Sequence, residues 1–161
     1  MKMEKKSLYD SLLKQLPHVL EGEHMYIPAM ANVASLLFTT LPHVNWAGFY
    51  LLHEGELLLG PFMGNPACAR IQLGKGVCGT AAKEKRTQLV KDVHLFPGHI
   101  ACDSASNSEI VVPIFKNGEV IGVLDIDSPL LNRFDETDQA GLEKVIVVLQ
   151  EGLSFENHSL N

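Results

Sequence analysis

An Asn-Gly pair between two apolar runs is the feature of this sequence that most restricts its fold. Asn117-Gly118 separates the runs at 110–115 (IVVPIF) and 120–128 (VIGVLDIDS), and Asn-Gly in this setting is among the strongest short-range signals of a β-hairpin. Alternation along the second strand places four residues on one face: Ile121, Val123, Asp125 and Asp127. Buried carboxylates need partners, so this pair of aspartates marks a candidate site. A strand end that emerges into solvent is the simpler alternative.

The register of this hairpin decides on which face Glu109 lies. A two-residue turn at Asn117-Gly118 would pair Ile110 with Asp125, and Glu109 would then lie on the face opposite the aspartates. Pro113 cannot donate to a β-ladder and can mark a bulge, which would reverse the face of the residues beyond it. Glu109 therefore joins the candidate site only if such a bulge exists.

A second hairpin and four helical patterns complete the organisation of the chain. Strands are predicted at 44–52 and 56–59 around a His53-Glu54-Gly55 turn, and a short strand at 87–90. Apolar spacing predicts helices at 5–20, 28–40 and 80–85, and a last helix that follows the acids at 134–138 and ends near Gly152. This order indicates a single α+β domain over residues 1–161, with a central antiparallel sheet of about six strands and helices packed on it.

Trp46 and Tyr50 share one face of the strand at 44–52, with Gly48 between them. Trp46 is the only tryptophan of the chain. The two rings would either pack in the core or form the wall of a small apolar pocket.

Length and charge exclude several classes of protein. A chain of 161 residues fits one domain, and a formal charge of −6 gives no electrostatic basis for binding nucleic acid or an anionic membrane surface. The charged N-terminus lacks the apolar core of a signal peptide, and no apolar run reaches the ~18 residues of a membrane span. We therefore expect a cytoplasmic protein.

The cysteines are the candidate reactive residues of this sequence. The three cysteines are Cys68, Cys78 and Cys102, and the last lies in an irregular segment, 92–109, that also holds His94 and His99. In the cytosol a disulfide would be transient. Buried thiols without a role are a plain alternative. Zinc binding is disfavoured because the spacing matches no CxxC pair.

Cys78 lies within GKGVCG (74–79), which matches the G-x-G-x-x-G pattern. The dinucleotide-binding interpretation requires a βαβ unit around the glycines, and the chain shows none. A glycine turn entering the helix at 80–85 is the simpler account. A helix N-terminus lowers the pKa of a thiol, so Cys78 is a candidate nucleophile beside Cys102.

Three segments of the chain together resemble one enzyme family. GKGVCGTAA (74–82), DVHLFPGHIACDSASNSEIVVPI (92–114) and VIGVLDIDSP (120–129) are similar to the free methionine-(R)-sulfoxide reductases, which are built on a GAF domain. The resemblance implies a GAF-like fold and a thiol-dependent reductase, with Cys102 as nucleophile, Cys68 as resolving thiol and Cys78 as an alternative resolving thiol. A sulfenic acid on Cys102 would give a disulfide that thioredoxin, or a similar dithiol, reduces. No bound cofactor and no metal are implied.

The resemblance also implies how substrate is held. Glu109, Asp125 and Asp127 would bind the substrate's ammonium group and supply a proton to the sulfoxide oxygen. Trp46 and Tyr50 would cage the S-methyl group. The backbone amides at Ile100 and Ala101 would hold the carboxylate. The preference for the R epimer follows from the resemblance alone.

Two other functions fit a GAF domain. One is a non-catalytic sensor that binds a small ligand, and the other is a thiol redox switch. The apolar faces of the helices at either end of the chain would suit a homodimer.

Overall fold

The computed structural model describes residues 2–100, 102 and 104–153. The helices are α1 Lys2–Val19, α2 Tyr26–Thr40, α3 Gly76–Glu84 and α4 Glu136–Gly152. The strands are β1 Trp46–His53, β2 Glu56–Gly64, β3 Arg70–Gln72, β4 Gln88–Val90, β5 Ser108–Lys116 and β6 Glu119–Ser128. A 3-10 turn at Val93–Leu95 interrupts the segment that was expected to be irregular throughout. Among the described residues, no helix combines the length and the apolar character of a membrane span.

The six strands form one antiparallel sheet in the order β3-β2-β1-β6-β5-β4, which confirms the predicted α+β architecture. Its two faces bury different sets of side chains. Residues of α1, α2 and α4 pack on one face against alternate residues of β1, β5 and β6. Residues of α3 and the 3-10 turn pack on the other face, together with Trp46 and Tyr50. The candidate site lies on this second face, and the larger core lies behind it.

A β-bulge in β6 sets the register of the central hairpin. Ile114 pairs with Gly122 whereas Phe115 pairs with Val120, so Ile121 is the extra residue. Beyond the bulge Glu109 pairs with Asp127, and the strict register that put Glu109 on the opposite face is wrong. The face predicted for Ile121 is also wrong, because its side chain packs with the larger core whereas Val123 does not.

The bulge is not at Pro113, where the sequence suggested it. Pro113 pairs in register with Val123, and the irregularity lies nearer the turn. Lys116 still pairs with Glu119 across the Asn117-Gly118 turn, so the turn prediction itself holds.

Asp138 joins the N-terminus of α4 to α1 and to the segment after β6. Its carboxylate is fully buried and accepts hydrogen bonds from Tyr9 Oη at 2.8 Å, Lys5 Nζ at 2.7 Å and Arg133 Nη1 at 3.2 Å. Asp138 also forms a capping box with Asp135 at the start of α4. The Asp138 carboxylate thus accepts hydrogen bonds from three side chains and also caps the N-terminus of α4.

Replacing Asp138 with alanine should destabilise the fold strongly. Arg133 is itself buried and would lose its charge partner, and breaking one side of a buried ion pair costs about 3–5 kcal/mol. We expect a fall in Tm of roughly 10 °C, since 1 kcal/mol shifts Tm by about 2–4 °C in a domain of this size. Thermal unfolding followed by circular dichroism measures this effect.

Asp10→Ala is the matched control, because it removes an exposed carboxylate that pairs with Lys6 on α1. Its Tm should remain that of the wild type. Equal losses in the two variants would contradict the role given to Asp138.

Candidate active site

Neighbouring strands bring the three predicted carboxylates together. Asp127 of β6 pairs with Glu109 of β5 on one side and with Trp46 of β1 on the other. Asp125 lies two residues along β6 on the same face and pairs with Gly48. All three carboxylates are buried, with exposures of 6%, 6% and 8% for Glu109, Asp125 and Asp127. The alternative in which the aspartates end a strand in solvent is therefore wrong.

Burial and mutual repulsion raise the pKa values of Glu109 and Asp125. Burial, followed by the charge of Asp125, raises the pKa of Glu109 well above its usual range. Burial, followed by the charge of Asp127, raises the pKa of Asp125. Asp125 Oδ1 is buried and accepts no hydrogen bond from any residue that the structure describes. The cluster can therefore both donate a proton and accept a hydrogen bond from a cationic ligand.

Aromatic rings form the wall beside the carboxylates. Trp46 stacks on Phe62 with ring centroids 5.2 Å apart and on Tyr50 at 6.0 Å. Trp46 Nε1 donates to Asn65 O at 3.0 Å, which fixes the ring. A Cβ at Gly48 would lie 2.7 Å from Trp46 Cη2, so glycine is required between the two aromatic positions. Phe62 was not predicted as part of this wall, because β2 was expected to end at residue 59, whereas it extends to Gly64.

Cys68 and Cys102 form a disulfide with Cα atoms 5.4 Å apart. Tyr50 Oη donates to Cys68 O at 2.9 Å, so the aromatic wall also holds the backbone of this cysteine. Cys102 lies in the segment between β4 and β5, and its amide donates to Ile100 O at 3.0 Å. Cys102 of this bond lines the same cavity as the carboxylates and the rings of Trp46 and Tyr50.

Cys78 is a free, buried thiol in the first turn of α3, which begins at Gly76 rather than at Thr80. Its Sγ lies 4.0 Å from Glu109 Oε2. Burial, followed by the charge of Asp125, raises the pKa of the Cys78 thiol, so the lowered pKa expected from the helix N-terminus is wrong. Loss of water and the nearby carboxylates outweigh the partial charge of the helix end.

A metal ion could find ligands within this cluster. Cys78 Sγ and one oxygen each of Glu109 and Asp125 lie within 4.8 Å of one another. This thiol and these carboxylates are a ligand set of the kind that binds zinc.

The segment before β5 is anchored at its base and covers the cavity at its centre. Asn107 Nδ2 donates to Pro129 O at 2.7 Å, and Val93 N donates to Asn107 O at 2.9 Å. Further along, the Ile100 side chain packs over the start of α3, where a Cβ on Gly76 would lie 3.2 Å from Ile100 Cγ1. Ala101 lies outside the described residues.

One cavity unites almost all of the predicted site residues. Trp46, Tyr50, Cys78, Ile100, Cys102, Glu109, Asp125 and Asp127 line it. Cys68 joins it through its bond to Cys102. The lining residues that sequence reasoning missed are Ala67, Ile71, Lys75, Gly76, Val77, His99 and Ser106. Lys75 and Gly76 lie within the GKGVCG segment, in which only Cys78 was predicted to belong to the site.

Comparison with known proteins identifies the family. Residues 21–146 match the GAF domain family. The free methionine-R-sulfoxide reductase of Escherichia coli (strain K12) is 46% identical over 152 residues, which cover 94% of this chain and 92% of that protein. The chain belongs to the free methionine-R-sulfoxide reductases of the GAF domain family. The resemblance seen in three segments of the sequence is thereby confirmed.

Solved structures of this reductase family share the fold in detail. The reduced form of fRMsr from Staphylococcus aureus has a TM-score of 0.88 and 53% identity, and the match covers 91% of this chain and 95% of that one. The free methionine-R-sulfoxide reductase of Neisseria meningitidis in complex with its substrate has a TM-score of 0.89 and 44% identity, covering 91% and 89% of the two chains.

Glu109→Gln should stabilise this reductase increasingly as pH rises. The pKa of Glu109 is raised in the folded protein, so the wild type loses stability between the ordinary glutamate pKa of about 4.3 and the raised value. Glutamine removes the buried ionisable group. We expect the Tm of the variant relative to wild type to rise by at least ~3 °C between pH 4 and pH 8, equivalent to about 1 kcal/mol.

Glu84→Gln is the control, because Glu84 is exposed and, through its hydrogen bond with Arg86, has a lowered pKa. Its Tm difference should not grow with pH. Thermal unfolding of the disulfide-bonded protein at a series of pH values makes the comparison. A pH-independent difference for Glu109→Gln would contradict the raised pKa.

Proposed function

We propose that the protein reduces free L-methionine-(R)-S-oxide to L-methionine, with Cys102 as nucleophile and Cys68 as resolving thiol. The observation that carries the proposal is that Cys102, which is bonded to Cys68, lines a cavity together with buried carboxylates and stacked aromatic rings. The names of the relatives supply the substrate and its epimer. The carboxylates, the aromatic rings and Cys102 in this cavity each have a role in the proposed reaction.

Substrate binding uses the two chemically distinct walls. The ammonium group lies against the carboxylate cluster, where Asp125 Oδ1 offers an open acceptor. The S-methyl group packs on the rings of Trp46 and Tyr50, which exclude water from the sulfur. The carboxylate faces the backbone amides at Ile100 and Ala101.

In the first step oxygen passes from the substrate to Cys102. The Cys102 thiolate attacks the sulfoxide sulfur, and a protonated carboxylic acid of the cluster gives its proton to the sulfoxide oxygen. The S–O bond of the substrate breaks, methionine leaves with two more electrons, and Cys102 becomes a sulfenic acid. The acid recovers a proton that the Cys102 thiol released. The raised pKa values of Glu109 and Asp125 support this role, because both can hold a proton near neutral pH.

In the second step Cys68 attacks the sulfenic acid, so that an S–S bond forms and water leaves. Thioredoxin or a similar dithiol then reduces the disulfide by exchange and is itself oxidised. Cys78 is a poorer resolving thiol, because the thiolate is the nucleophile and burial beside carboxylates keeps Cys78 protonated. No bound cofactor takes part in this scheme.

Cys102→Ser should abolish turnover, since a hydroxyl cannot accept the oxygen in this way. The assay contains thioredoxin, thioredoxin reductase and NADPH and follows NADPH oxidation. It is run with R and S epimers, each as the free amino acid and within a peptide. The wild type should respond to the free R epimer alone. Full activity in Cys102→Ser would refute the assignment.

Cys68→Ser should retain the first step and lose the second. A single mixing with substrate should release about one methionine per enzyme, and thioredoxin should not sustain turnover, as expected when a covalent intermediate accumulates. Amino-acid analysis of the quenched mixture counts the methionine. Cys78→Ser provides the comparison: undiminished turnover in Cys68→Ser, with loss in Cys78→Ser, would make Cys78 the resolving thiol.

A further inference from the structure

Charge is divided between two sides of the active-site cavity. Glu109, Asp125 and Asp127 line it from β5 and β6, whereas Lys75 lines it from the start of α3. His99 also lines it, but burial and then the charge of His94 lower its pKa, so it is largely neutral near pH 7. Among the described lining residues, Lys75 is therefore the side chain with a permanent positive charge.

Lys75 has no ionic partner among the residues that the structure describes. It is the N-cap residue of α3, with an extended backbone and no side-chain capping bond. Within the described part of the chain its ammonium group makes no ion pair or hydrogen bond, whereas Lys5 and Lys6 both pair with aspartates. An exposed lysine without a partner at a cavity that holds three carboxylates is free to bind an anionic group of a ligand.

The surroundings of Lys75 favour an anion as well. The first turn of α3, including Gly76, Val77 and Cys78, lines the same cavity, and a helix N-terminus carries a partial positive charge. Ile100, one of the two positions whose amides face the substrate carboxylate in the proposed complex, packs directly on Gly76. The Ile100 side chain thus lies against the residue that follows Lys75.

The opposite side of the cavity offers an acceptor for a hydrogen-bond donor of the ligand. Asp125 is 6% exposed, and its Oδ1 lacks a hydrogen-bond partner among the described residues. A buried acceptor in this condition is costly unless a ligand donates to it. The cavity therefore presents a cationic side chain on one side and carboxyl acceptors on the other, which together match the carboxylate and the ammonium group of a free amino acid.

We propose that Lys75 binds the substrate's α-carboxylate and thereby selects free methionine sulfoxide over sulfoxides that lack this group. The inference rests on the function proposed above and adds a specificity-determining side chain to it. A methionine sulfoxide within a peptide has neither a free carboxylate nor a free ammonium group. It therefore cannot make the contacts offered by either side of the cavity.

The test compares Lys75→Met with wild type on two substrates. Methionine (R)-S-oxide has both charges, and its carboxamide, methioninamide (R)-S-oxide, keeps the ammonium group but lacks the carboxylate. Lys75→Met should raise KM for the acid about twofold to fivefold with kcat nearly unchanged, the pattern of lost ground-state binding by one exposed ion pair. KM for the carboxamide should stay unchanged.

Two further variants serve as controls. Lys75→Arg keeps the charge and should restore most of the affinity for the acid. Lys83→Met removes an equal charge from the last turn of α3, outside the cavity lining, and should leave both KM values unchanged. Equal changes for acid and carboxamide in Lys75→Met, or none for either, would overturn the proposal.

A binding measurement separates this proposal from the reaction itself. Calorimetric titration of the reduced protein with L-methionine and with L-methioninamide needs no turnover. A preference of wild type for the acid that Lys75→Met loses supports the carboxylate site even if the reductase assay fails. Full reductase activity without any such preference in binding would overturn the role of Lys75 and leave the reaction intact.

Discussion

The active site depends on one extra residue in β6. Without the bulge at Ile121, residues beyond the turn would pair as the Asn117-Gly118 hairpin dictates, and Glu109 would face the larger core. With it, Glu109 pairs with Asp127 and both carboxylates face α3. Bulges redirect side chains at functional sites in many sheets. Here the effect is to place a third acid beside two others, in a position that apolar packing alone would not produce.

The buried carboxylates destabilise one face of the sheet, and the apolar core on the other face offsets this cost. Buried carboxylates with raised pKa values are held at a free-energy cost near neutral pH. Behind them, three helices pack a continuous apolar core against the sheet. Asp138 adds a buried carboxylate of the opposite kind, one fully supplied with donors from Tyr9, Lys5 and Arg133. An aspartate thus stabilises the fold at position 138, where donors surround it, and forms part of the active site at positions 125 and 127, where other carboxylates surround it.

Much of this could be predicted from periodicity and turn residues. The hairpin at Asn117-Gly118, the shared face of Trp46 and Tyr50, and the α+β architecture each follow from a local rule. Family resemblance supplied the pairing of Cys68 with Cys102. Position along a strand was harder. Pro113, where the sequence suggested a bulge, pairs in register, whereas the extra residue is Ile121, next to Gly122.

Environment was harder to predict than position. Cys78 was correctly placed near a helix N-terminus, yet its pKa moves the other way because carboxylates from distant strands surround it. Lys75 was dismissed together with a glycine motif, and only the folded chain shows that it lines the cavity. Phe62 was missed because β2 extends beyond the apolar run that predicted it. Each error concerns a neighbour contributed by a remote part of the chain.

The disulfide has a consequence for how the protein would respond to its surroundings. While Cys102 is bonded to Cys68, its sulfur cannot attack a second sulfoxide. Under the proposed chemistry, the turnover rate at high sulfoxide concentration is then limited by the supply of reduced dithiol. A cell short of reduced dithiols would accumulate the bonded form and leave free methionine sulfoxide untouched, so repair of this metabolite would follow the reducing capacity of the cell.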